Sequence, residues 1–68
     1  MRYAVVIEKA DDNYSAHAPD LPGCVATACT RETVLRRIRE AVTFHLAGLR
    51  EDGLTPAKPK TVVDYVEA

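Results

Sequence analysis

The sequence predicts an α+β domain of two layers, ordered β-β-β-α-β, with one long helix packed on a mainly antiparallel sheet. Three observations support this. Short runs rich in β-branched, aromatic and small residues precede position 30, separated by turn residues. From Arg31 to Asp52, apolar residues recur at helical spacing with no proline. A proline-broken connection then leads to a last β-branched run. The 68 residues are read as one domain, 1–68. A chain of this size buries only ~60% of its unfolded surface, so a partner could supply much of the missing burial.

Arg2–Glu8 (RYAVVIE) reads as the first strand. Alternation puts Tyr3, Val5 and Ile7 on one face and Ala4 and Val6 on the other. Both faces are apolar, which is unusual for an antiparallel strand with one solvated side. Lys9–Asn13 supplies a polar turn, and Tyr14–Ala18 (YSAHA) the second strand. PDLPG ends that strand, because Pro19 cannot donate a ladder bond. Leu21-Pro22-Gly23-Cys24 fits a type II turn with glycine at positive φ. Cys24–Cys29 (CVATAC) is a third, small-residue strand.

Thr30 is suited to cap the helix, Glu32 to its first turn, and Gly53 to its stop. Val34, Leu35, Ile38, Ala41, Val42, His45, Leu46 and Leu49 form the expected core stripe. Phe44 lies about 120° from Ile38 in projection, at the margin of that stripe. Prolines 56 and 59 exclude helix from Leu54 to Lys60, and Thr61–Val66 (TVVDYV) is the expected fourth strand.

Composition narrows the function classes. Hydrophobic residues make up 47% and charged ones 28%, as in ordinary globular chains. A net charge of -1 argues against a nucleic-acid binder. No apolar run approaches a membrane span of ~20 residues. Two cysteines without an export signal point to a cytoplasmic setting.

No catalytic, cofactor or metal site is expected. A metal would recruit His17, Cys24, Cys29 and His45, but positions five apart on an unbroken strand face opposite ways. Both cysteines are read as small buried hydrophobes. Cys24 lacks an oriented base and an oxyanion motif. His45 is read as a core residue, and the arginines of the helix as a solvated face with i,i+4 pairs.

In order and spacing, RYAVVIEK, DDNYSAHAPDLPGCVATA and TRETVLRRIREAVTFHLAGLREDGL together resemble the HicB antitoxin family. The PDLPG corner after YSAHA is the most specific part. The resemblance implies a partial RNase H-like fold without a nuclease site. It implies a HicA-like toxin partner, an mRNA interferase neutralised by direct binding. It also implies homo-oligomers, dimers or tetramers. Many members add a C-terminal DNA-binding segment. Here the sequence stops at Ala68, after the last expected strand, so no direct nucleic-acid binding is expected.

The expected partner contacts are Glu8, Asp12, Asp20, Leu21 and Phe44. Ala4 and Val6 are the expected oligomer interface. Two other readings remain: a stand-alone oligomeric scaffold, and a small RNase H-like nuclease using Glu8, Asp12 and Asp20.

Overall fold

The computed structural model describes all residues, 1–68. Three strands form one antiparallel sheet in the order β1-β2-β3: β1 Val6–Lys9, β2 Tyr14–His17 and β3 Val25–Ala28. One helix, α1, runs from Arg31 to Glu51 across one face. The α+β class, the antiparallel pairing and the long helix are as the sequence predicts.

Register explains the length of β1. Val6 pairs with His17 and Ile7 with Ala16. Carried two residues further, that register would set Ala4 against Pro19, which has no N–H to donate. The ladder therefore opens at Val6, not at Arg2. Tyr3 and Val5 still pack against the core from outside the ladder.

The row Ile7–Ala16–Ala26 faces the helix, and Val6–His17–Val25 faces away. The core is small. Its seven buried residues are Ala16, Ala18, Leu21, Cys24, Ala28, Val34 and Ile38, four of them alanine or cysteine. Small residues on β2 and β3 bring the helix close to the sheet. Leu21, Val34 and Ile38 then fill the space between.

Both helix ends are capped as the sequence requires. The Thr30 hydroxyl accepts from the Thr33 amide at 3.1 Å. At the other end Gly53, at φ 73°, donates to Arg50 at 3.1 Å, and Leu54 donates to Leu49 at 2.8 Å. This pair of bonds is a Schellman motif. The helix also outruns the sheet. Twenty-one residues span about 31 Å, against about 13 Å for a four-residue strand. Ala41, Val42, His45, Leu46 and Leu49, expected in the core, are therefore only half-buried.

Two further expectations are corrected. Thr61–Val66 forms no strand, and residues 62–68 make no backbone–backbone hydrogen bond. Of the two cysteines, only Cys24 is buried; Cys29, at the far end of β3, is exposed.

The chain covers little of itself. Its accessible surface is 5482 Å² for 7.5 kDa, where a folded monomer of that mass exposes about 4,250 Å². Its radius of gyration is 13.1 Å, against about 11 Å for a compact chain of this length. No helix is long and apolar enough to cross a membrane.

Candidate functional site

The PDLPG corner is two turns in succession. Leu21 donates to the Ala18 carbonyl at 3.0 Å, and Cys24 to the Leu21 carbonyl at 3.1 Å. Pro19 and Pro22 preset the first central position of each, and Gly23, at φ 82°, closes the second as a type II turn. The Ala18 amide reaches back to the Cys24 carbonyl at 3.1 Å and seals the corner. This geometry drives Leu21 inward, to 1% exposure.

Asp20 is turned inward as well, at 8% exposure. Its Oδ2 accepts from the Lys60 and Thr61 amides, both at 3.0 Å, and its Oδ1 from the Thr61 hydroxyl at 2.7 Å. The Thr61 amide, the Thr61 hydroxyl and the Lys60 amide, in that order, hold its carboxyl below the ordinary aspartate value of 3.8. Asp20 thus pins the start of the C-terminal segment to the corner, with a second tie from the Tyr3 hydroxyl to the Ala57 carbonyl at 2.6 Å. No local pattern signals this role, because the partners lie forty and forty-one positions away.

Of the expected partner contacts, Asp20 and Leu21 are therefore turned into the fold and offer no outward surface. Glu8 and Asp12 are exposed beside the β1–β2 turn, which closes through Ala10 and Asn13. They sit at the opposite end of β2 from Asp20, so the three acids of the nuclease reading do not converge. No group of three or more His, Cys, Asp or Glu side chains is placed to hold a metal. Burial pushes the Cys24 thiol up, away from the reactive thiolate.

Two apolar grooves flank the overhanging half of α1. One, of about 400 Å³, lies between the corner and the helix, with Gly23, Val25, Phe44, His45 and Gly48 among its walls. Phe44 is 82% exposed at its rim. The other, of about 340 Å³, lies on the opposite flank, between Tyr3 and Val5 and the side chains of Leu35, Val42 and Leu46. Beyond the grooves, the sheet's outer face carries Val6, His17 and Val25 in one row, while Ala4 lies ahead of the ladder, beside Thr61–Val63. That face is mixed, since Glu8, Ser15 and Thr27 form the next row. Arg37 does not join a basic patch: its guanidinium donates to the Thr27 carbonyl at 2.8 Å and ties the helix to edge strand β3. Arg36 faces Glu40 at 3.8 Å on the solvated side, an i,i+4 pair.

Exposed apolar grooves of this kind are surfaces on which another chain can settle. A 14.9 kDa protein of Haemophilus phage HP1, from the rep-hol intergenic region, is 33% identical over 66 residues. That match takes in 97% of this chain, which spans half of the phage protein. A UPF0150 protein of Helicobacter pylori is 40% identical over 63 residues, covering 91% of this chain and 88% of the other. Among solved structures, a chain of a HicA3 and HicB3 toxin-antitoxin complex superposes with a TM-score of 0.70 at 27% identity. It matches 87% of this chain and 70% of its own length. The profile of the HicB-like antitoxins of bacterial toxin-antitoxin systems matches residues 3–68. The chain belongs to the HicB-like antitoxin family.

Proposed function

We propose that this chain is a non-enzymatic antitoxin that neutralises a HicA-like toxin, an mRNA interferase, by binding it directly. Family membership over residues 3–68 is the observation that carries the reading. The solved relative named as part of a HicA3 and HicB3 complex supports the class of partner. The accessible surface, 5482 Å² on a 7.5 kDa chain, supports binding as the means, since it leaves so much to cover.

The contact surface we assign is the groove beside Phe44, together with the exposed acids Glu8 and Asp12. An aromatic ring at a groove rim is the kind of residue that anchors an interface. The acids would meet the basic surface expected of such a toxin. In this reading the protein works in the cytoplasm, self-associates, and does not itself contact nucleic acid.

The test is to mix the full chain with a HicA-like toxin encoded beside it. Co-elution and restored translation in a cell-free extract are expected; absence of both rejects the reading. Phe44→Ala should weaken binding at least tenfold, about 1.4 kcal/mol. As an exposed position it should change folding stability by no more than about 0.5 kcal/mol. Unchanged binding would move the contact surface elsewhere.

A further inference from the structure

The largest exposed apolar group in the molecule is neither a groove nor the sheet face. It is the C-terminal segment: Val62 is 86% exposed, Val63 51%, Tyr65 88% and Val66 91%. These are strand-forming residues in a segment without a ladder. An isolated chain gains nothing by displaying them, and such a segment is prone to pair with another strand.

The same molecule carries a vacant acceptor. β1 is an edge strand bonded only to β2, so its other side is unpaired. The segment lies, without bonding, beside the stretch of chain that leads into β1. Arg2, Tyr3 and Ala4 on one side, and Thr61, Val62 and Val63 on the other, wall a cavity of about 410 Å³. Asp20 fixes where the segment begins, through Lys60 and Thr61. Pro56 and Pro59 restrict the connection that leads to it.

We infer that Thr61–Val66 is an exchange strand, and that its partner is the free β1 edge of a second copy of this chain. Reciprocity favours a second copy over an unrelated partner. Each copy presents one unpaired strand and one unpaired edge, side by side. A two-fold axis between the copies satisfies both at once, and a closed isologous pair leaves neither open. The gap within one chain is then the place where the partner's strand enters. This inference specifies the self-association included in the antitoxin reading, and its test uses no toxin.

The experiment measures the mass of the full chain by light scattering across a concentration series, with hydrogen exchange on the same samples. A dimer is expected, and amides within residues 62–66 should be protected in it and lose protection on dilution. Val62→Pro and Val63→Pro are compared with wild type. Successive amides of a strand point to opposite sides, so one of these two prolines must remove a bond in the joint. That variant should weaken the dimer at least tenfold while its far-UV circular dichroism and melting temperature as a dilute monomer match wild type. Val25→Asp, on the sheet face of the opposite edge strand β3, is the control and should leave the dimer intact. A wild-type chain that stays monomeric, or a dimer indifferent to both prolines, overturns the inference. So does protection of 62–66 that is independent of concentration, since the strand would then pair within its own chain. Toxin binding can fail while these results hold, and the reverse, so the two proposals fall separately.

Discussion

Leu21→Ala separates two roles for the corner, anchoring the core and contacting a partner. Leu21 is one of only three bulky side chains in the core, with Val34 and Ile38, and is 1% exposed. Truncation to alanine deletes three carbons, which at about 0.8 kcal/mol each gives about 2.4 kcal/mol of lost transfer energy. A cavity term adds to this. The other four core residues are alanine or cysteine, and side chains so short cannot swing in to fill the hole. We expect a loss of about 3 kcal/mol. At 0.05–0.15 kcal/mol per residue, a chain of 68 residues has roughly 3–10 kcal/mol in total. The variant should therefore lie near its unfolding threshold. The assay is urea denaturation followed by circular dichroism, with wild type and variant at the same concentration because self-association would add to both. With a slope of about 1 kcal/mol/M, the midpoint should fall by about 3 M. A loss below about 1 kcal/mol would refute the argument and return Leu21 to the surface.

Two further outcomes follow from the corner and the helix. The lowered pKa of Asp20 means that its stabilisation is fully present above the unfolded aspartate value of 3.8, and is lost as pH falls through the lower folded value. The protection of the Lys60 and Thr61 amides, taken relative to the intrinsic exchange rate at each pH, should therefore persist from neutrality to about pH 4 and fall only below it, and Asp20→Ala should remove it at every pH. Gly23 and Gly48 should respond oppositely, although an added Cβ meets nothing within 4 Å at either site. Gly23→Val forces a β-branched residue into φ 82° and should lower the melting temperature, whereas Gly48→Ala should raise stability by up to about 1 kcal/mol.

Local chemistry made most of the fold legible. The Thr30 cap, the Gly53 stop and the Pro22-Gly23 turn are written in residues that touch their own neighbours, and each is formed as the sequence predicts. What sequence could not supply was the extent of each layer. The stripe from Ala41 to Leu49 is periodic enough for a core helix, yet periodicity says nothing about where the sheet beneath it ends. Thr61–Val66 has strand composition, but a strand needs a partner, and composition does not say whether one is present. Asp20 looks like a turn residue because its real contacts are forty positions away. Phe44 was legible as marginal to the stripe, and the structure leaves it in solvent.

The tie between Asp20 and Thr61 sets a lower bound on how short this chain can be. Cutting it anywhere ahead of Lys60 would remove both amides and the hydroxyl that the carboxylate accepts from, leaving water as its partner and the corner without its brace. A deletion at one extremity would thus register as damage at a bend in the first third of the chain. Any shortened or chimeric version must carry Thr61 with it to keep the corner braced.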